Sequence, residues 1–359
     1  MAEWIASDAQ LRDAVASWPA VIGLDTEFLR TSTYYPKPGL YQVAAGDQVY
    51  LIDPLAIESW QPLVDYLVSE RTVKVMHACL EDLELLHHHL GISPRNVFDT
   101  QFANAFASEN FSLSYAALVE RVLGVSLPKH ETRSNWLQRP LSDDQIRYAV
   151  EDVIYLAPLY EHLQEKLQAD ARYAWFVQEM SLRGAYVPPE PLQYYRGVKK
   201  AWQLGAEQLA VLQMLCAWRE NTARSEDVPR NRVVWDDHLY AFSRIRELEL
   251  EHVHTNLPRG IARRYAEALL EAHNVGRRSA HPEPPPRPLT TAQGKLVKQL
   301  REIAGNVADQ LGVAPELLAR RRDIEACVRH FSSTQQLSDH YLGWREGLVA
   351  ERFLEVLQR

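Results

Sequence analysis

The stretch VIGLDTEF at residues 21–28 carries two carboxylates inside the most strand-like segment of the chain. Side chains alternate between faces along a strand, so residues two apart share a face. Ile22, Leu24 and Phe28 fall on one face with Thr26, whereas Asp25 and Glu27 fall on the other, beyond Val21 and the side-chain-free Gly23. Two ionised carboxylates so placed repel each other and lose hydration, and at least one takes up a proton unless a cation sits between them. An edge strand with a solvated face and half of a metal site fit this octet equally well.

The surrounding chain alternates strand and helix signals. Strand-like runs at 40–45 and 48–52 are joined by Gly46-Asp47, which predicts an antiparallel hairpin. A further strand is expected at 72–76 after a helix near 60–69, followed by helices at about 79–90, 100–108, 113–123 and 142–168. This order predicts a mixed sheet flanked by helices. The opening MAEWIASDAQLRDAV reads as an acidic helix and lacks the basic start and apolar run of a signal peptide. VPPEP at 187–191 punctuates the end of this α/β domain. From about residue 207 the pattern is helical up to HPEPPPRP at 281–288, which reads as a stiff linker. A second helical unit fills the remainder. ARSEDVPRNRVVWDDHL from Ala223 is faintly echoed by ADQLGVAPELLARRRDIEA from Ala308.

A chain of 359 residues exceeds one ordinary core and predicts two or three domains. With 46% hydrophobic and 24% charged residues it reads as globular, and no run approaches the roughly 18 apolar residues of a membrane span. Cys79, Cys216 and Cys327 are scattered and lack C-x-x-C spacing, which points to reduced thiols in a cytoplasm. The net charge of −8 argues against a polyanion partner until it is divided. Residues 1–190 hold 14 Lys and Arg against 26 Asp and Glu, a net of −12, whereas residues 191–359 hold 25 against 21, a net of +4. An acidic body with a basic arm suits metal-dependent chemistry on a nucleic acid. The arm's candidate phosphate contacts are Arg230, Arg232, Arg263, Arg264, Arg277, Arg278 and the run Arg320-Arg321-Arg322.

Two segments supply partners for Asp25 and Glu27. Asp82 lies early on the helix in HACLEDLELLHHHLG, at the border of a stripe made by Leu80, Leu83, Leu86 and Leu90. Ser142 to Gln145 forms a capping box that starts a long helix, on which Tyr148 and Asp152 are four apart and share a face. The apolar stripe beside them runs through Ile146, Val150, Val153 and Ala157, and Pro158 is expected to bend the helix beyond the pair. Asp25, Glu27, Asp82 and Asp152 could converge only around cations, and an all-oxygen donor set favours Mg²⁺ or Mn²⁺ over zinc. Tyr148, whose unperturbed pKa is about 10, is a poor base and fits better as a group that aims a water. Consecutive His87, His88 and His89 point in three directions and read as structural or solvated. His77 reads as a core histidine before a ligand, and Asp99 as the cap of the next helix.

DTEF, HACLEDLELL with FDTQFA, and YAVEDVIYL resemble the three exonuclease motifs of the DEDD 3′–5′ exonucleases, in the tyrosine subclass. RTSTYYPKPGLYQ and SNWLQRPLSDDQIRYAVEDVIYL are similar to the ribonuclease D family in particular. LAVLQMLCAWRENTAR through LYAF resembles the helicase-and-ribonuclease-D C-terminal domain, with residues 289–359 a divergent copy. Asn135 departs from the aspartate expected there, outside the acidic set.

The resemblance implies a ribonuclease-H-like exonuclease domain over 1–190 and two small all-α domains over 205–280 and 289–359. It implies two divalent ions, held by Asp25, Glu27, Asp82 and Asp152 with Tyr148 orienting the water. The expected activity is release of nucleoside 5′-monophosphates from the 3′ ends of RNA, especially tRNA precursors with 3′ extensions, by a cytoplasmic monomer that needs no membrane. A DNA exonuclease of the same fold and a non-catalytic nucleic-acid adaptor are the alternatives.

Overall fold

The computed structural model describes residues 2–128 and 134–359. They form two compact units, one of the described residues within 2–29, 38–128, 134–186 and 289–359 and the other of residues 30–37 and 187–288.

The first unit is built on a six-stranded mixed sheet. Its elements are β1 (Ala2–Ile5), α1 (Asp8–Ser17), β2 (Val21–Leu29), β3 (Lys37–Ala45), β4 (Gln48–Ile52), α2 (Gln61–Val68), β5 (Val73–Met76), α3 (Leu80–Leu90) and β6 (Val97–Asp99). They are followed by α4 (Thr100–Ala107), α5 (Tyr115–Leu123), α6 (Asp143–Ile154), α7 (Leu156–Ala169) and α8 (Tyr173–Arg183). The strand order is β1-β4-β3-β2-β5-β6. The hairpin read from Gly46-Asp47 is present: β3 and β4 are antiparallel, with Ala45 opposite Gln48 and Tyr41 opposite Ile52. β1, β5 and β6 pair in parallel with β4, β2 and β5 respectively.

Three local expectations are corrected. The N-terminus opens as a strand: Trp4 lies opposite Leu51 and Ile5 opposite Ile52, and the helix begins only at Asp8 behind its Ser7 cap. Four residues are too few to display a strand's alternation against the strong helical signal that follows. Leu80 is 55% exposed, because the buried face of α3 is made by Asp82, Leu83, Leu85 and Leu86. The helix expected over 142–168 is two helices: the bend expected beyond the Tyr148–Asp152 pair is a full break, at Tyr155. Pro158 sits in the first turn of α7, where its missing N–H costs nothing, and its ring would clash with a continuous helix at the carbonyl four residues earlier.

The second unit contains α9 (Ala206–Ser225), α10 (Arg230–Val233), α11 (Asp236–Ser243), α12 (Leu250–Asn256) and α13 (Arg259–Arg278). α9 and α13 cross closely at Gly276, where a Cβ would come 2.5 Å from the Val211 Cα. Inside this unit Glu220 is fully buried and takes Arg224 at 2.9 Å, Arg230, and the Tyr34 hydroxyl. Burial pushes the Glu220 carboxyl up, but the bonds from Arg230, Tyr34 and Arg224 outweigh it and hold the carboxyl below its ordinary value.

The C-terminal helices α14 (Thr291–Leu311), α15 (Pro315–Leu318), α16 (Arg321–Thr334) and α17 (Glu351–Leu357) return to the first unit and share its core. Trp344 stacks on Trp175 at 5.1 Å and donates its indole N–H to Glu179 at 3.0 Å. Buried Arg345 pairs with the same carboxylate and donates to the Leu317 carbonyl. Arg172 bonds the Phe106 carbonyl on α4 at 2.8 Å and the Leu311 carbonyl at the end of α14. Among the described residues no helix is long and apolar enough to cross a membrane.

Candidate active site

Strand β2 carries Asp25 and Glu27 on the face against which the α6–α7 junction packs. Gly23 on that face makes the approach possible: a Cβ there would stand 2.9 Å from the Val153 carbonyl and 3.0 Å from the Leu156 Cβ. The missing side chain two residues before Asp25 therefore lets α6 bring Asp152 down onto the strand. Carboxylate oxygens of Asp25, Glu27 and Asp152 all lie within 4.8 Å of one another. The octet's acidic pair is thus part of an inward-facing cluster, which excludes the solvated edge strand.

Asp82 stands outside that triad. It is 7% exposed, and its Oδ1 accepts the Thr26 amide at 3.1 Å and the Thr26 hydroxyl. Its charge still acts on both Asp25 and Glu27. Burial, followed by the Asp82, Asp152 and Glu27 charges, raises the Asp25 carboxyl well above its ordinary range. Burial, Asp152 and Asp82 push Glu27 up to about 8. Burial pushes Asp82 up to about 6, against the opposing bonds from Thr26. Metal-free, such a cluster holds protons at neutral pH, and divalent cations would displace them and relieve the repulsion. An all-carboxylate donor set fits hard oxygen-binding ions.

The Tyr148 phenol is hydrogen-bonded to Asp152, and burial followed by the Asp152 and Glu27 charges raises its pKa further from neutrality. It remains protonated and can donate its O–H. Gly39 on β3 admits Trp136, whose Cβ would lie 2.5 Å from a Cβ at that position, and the Trp136 ring lies 6.1 Å from that of Tyr148. An open cavity of about 650 Å³, lined in part by Tyr115, Glu120, Tyr148, Glu151 and Asp152, adjoins the acidic cluster.

The histidines read as structural have structural partners. His77 bonds the Thr100 hydroxyl at 2.9 Å and the Leu113 carbonyl at 3.1 Å, and His89 bonds the Tyr41 hydroxyl at 2.7 Å. Asp99 caps α4 through the Gln101 and Phe102 amides. Two residues missed in the sequence shape the site: Thr26, which clamps Asp82, and Tyr115. The Tyr115 hydroxyl donates to the Glu151 carbonyl at 3.1 Å and accepts from the Tyr155 amide at 3.3 Å. A side chain inserted into the i to i−4 ladder breaks a helix at that point. Tyr115 opens α5 after its Ser114 cap, and nothing in its local sequence points to a target 36 residues away.

Comparison with known proteins accounts for this arrangement. Residues 2–168 match the 3′–5′ exonuclease family and residues 208–272 the HRDC domain. Over 368 residues the chain is 39% identical to the ribonuclease D of Pseudomonas paraeruginosa, covering 99% of this chain and 97% of that one. The chain belongs to the ribonuclease D family. It is 36% identical to ribonuclease D of Escherichia coli, over 98% of this chain and 96% of the other. The crystal structure of Escherichia coli RNase D, described as an exoribonuclease involved in structured RNA processing, superimposes with a TM-score of 0.90 at 34% identity, over 100% and 99% of the two chains. Like its family, the chain is a hydrolase, a 3′–5′ exoribonuclease.

Proposed function

We propose that this enzyme trims the 3′ ends of structured RNA precursors, especially tRNA precursors with 3′ extensions, and releases nucleoside 5′-monophosphates. The observation that carries the reading is the convergence of Asp25, Glu27 and Asp152 within 4.8 Å beside an open cleft. With Asp82 behind them they are the residues to hold two divalent ions, Mg²⁺ or Mn²⁺. When bound, such a pair would supply Lewis-acid chemistry, activating a water and stabilising the departing oxygen of a phosphodiester. Thr26 fixes Asp82 through bonds that both fall on Oδ1. Tyr148 keeps its proton and orients the attacking water by donating to it or, through Asp152, by fixing the carboxylate beside it.

The structured-RNA assignment draws on the Escherichia coli enzyme's described role in structured RNA processing. The exonuclease module would span 1–190, with helical modules at 205–280 and 289–359, the last folded onto the first unit. We assign the enzyme to the cytoplasm as a monomer. Incubation with a 3′-extended tRNA and Mg²⁺, products resolved by length, should give a ladder retreating from the 3′ end together with mononucleotides. A matched DNA oligonucleotide should be trimmed more slowly. Binding without shortening would make the chain an adaptor, and faster loss of the DNA would make it a DNA exonuclease.

A further inference from the structure

His77 stands in the turn from β5 to α3, directly after Met76 and ahead of the helix that bears Asp82. Its Nε2 lies 3.1 Å from the Leu113 carbonyl, and a carbonyl only accepts, so this nitrogen carries the proton. Burial lowers the imidazole pKa against the opposing Asp99 charge, which leaves the ring neutral. Nδ1 then accepts from the Thr100 hydroxyl at 2.9 Å, a hydroxyl that also reaches the Met76 carbonyl at 3.1 Å. Two residues beyond Leu113, the Tyr115 ring meets the His77 ring edge to face with centroids 5.5 Å apart. The far end of that phenol holds the Glu151 carbonyl and the Tyr155 amide at the end of α6.

Two observations set these contacts apart from ordinary packing. The Leu113 carbonyl already has a donor, the Gln101 side-chain amide at 2.9 Å, so the His77 bond is not needed to satisfy it. Its effect is to hold that carbonyl in place from a second direction. The turn itself is strained: Ala78 has φ +55°, a left-handed conformation that penalises any residue with a Cβ. Asp99 keeps it there by accepting the Ala78 amide at 3.0 Å and the Cys79 amide at 3.3 Å. Strain maintained by surrounding bonds in this way gathers at functional sites. We propose that His77 is a positioning residue for the hydrolysis. Its Nε2–H and ring edge fix Leu113 and Tyr115, Tyr115 fixes the end of α6, and α6 thereby presents Asp152 in register with Asp82 on the helix that His77 leads into. The proposal rests on the reading of these carboxylates as ion-binding and goes beyond it by naming what aligns them.

The test is turnover of a 3′-extended RNA by the full chain at saturating Mg²⁺, with KM and melting temperature measured alongside. His77→Ala should lower kcat by up to about 10²-fold, the scale of a misplacement transmitted from outside the reacting groups, and leave KM nearly unchanged. His77→Gln should recover most of that loss, because its amide nitrogen reaches the place of Nε2. His77→Asn, whose amide nitrogen falls near the place of Nδ1, should not. In the double variant His77→Ala, Tyr115→Phe, kcat should fall no further than in the more impaired single variant, since both act through one contact. Asp152→Asn is the control for the site. If it turns over RNA as the wild type does, the carboxylate reading fails and the positioning of Asp152 with it. If Asp152→Asn is inactive while His77→Ala keeps full kcat, or while the Gln and Asn variants are alike, the carboxylate reading stands and His77 belongs to the fold alone.

Discussion

The Tyr115 hydroxyl accepts the Tyr155 amide at 3.3 Å and stands where that amide would otherwise meet the Glu151 carbonyl. One phenol thereby ends α6 within one turn of Asp152 and fixes the orientation in which α6 presents that carboxylate. Tyr115→Phe should remove both bonds from a partly buried site and cost about 1–3 kcal/mol of stability. It should also lower kcat, because α6 loses its fixed end. A lower melting temperature with full kcat would confine Tyr115 to the fold.

Asp25→Asn and Asp152→Asn should nearly abolish hydrolysis and leave the protein folded, since each removes a charge from a site crowded with like charges. Wild type should gain thermal stability on adding Mg²⁺ by mass action. The variants should gain much less. Equal gains in wild type and Asp25→Asn would place the ion elsewhere.

Tyr148→Phe removes the donor to Asp152 but none of the carboxylates. The Mg²⁺-dependent rise in melting temperature should persist, while kcat falls by about 10²–10⁴-fold, the range for a lost proton-transfer or positioning group. Undiminished kcat would reduce Tyr148 to a ring packed near Trp136.

The raised carboxyls give the chelated protein a definite pH dependence. Between the ordinary 4.5 and about 8, Glu27 keeps a proton in the folded protein that the unfolded chain has released. Folded protein binds more protons there, so stability falls as pH rises through that window, and Asp82, pushed up to about 6, adds in the same direction. Melting temperature in chelator should decline from pH 5 to 8, and Glu27→Gln should flatten the decline. Saturating Mg²⁺ should offset it, because ions replace the protons. A chelated protein that becomes more stable over this range would contradict the environment assigned to Glu27.

Much of the site was legible because its signals are local. Alternation along VIGLDTEF put Asp25 and Glu27 on one face, and four-residue spacing paired Tyr148 with Asp152. The misreadings arise where a distant contact decides. The break at Tyr155 is set by Tyr115 together with Pro158, whereas the proline alone predicts only a bend beyond the pair. Asp82 is held by Thr26, which reads in isolation as an ordinary strand residue. The basic arm was read from charge counts, yet Arg230 is matched by Glu220, Arg264 by Glu226, Arg321 by Glu325 and Arg322 by Asp323. Nor do residues 289–359 stand apart from the nuclease sheet: Trp344 and Arg345 grip Glu179, so truncation after about residue 200 would strip the first unit of part of its core.

The central claim is that the clustered carboxylates hold a pair of divalent ions. The direct measurement is an anomalous difference map from crystals of the protein soaked in Mn²⁺. Two peaks about 3.5–4 Å apart are expected among Asp25, Glu27, Asp82 and Asp152, and both should be lost in Asp25→Asn. A fully occupied Mn²⁺ bound elsewhere, with none at these four carboxylates, would contradict the account.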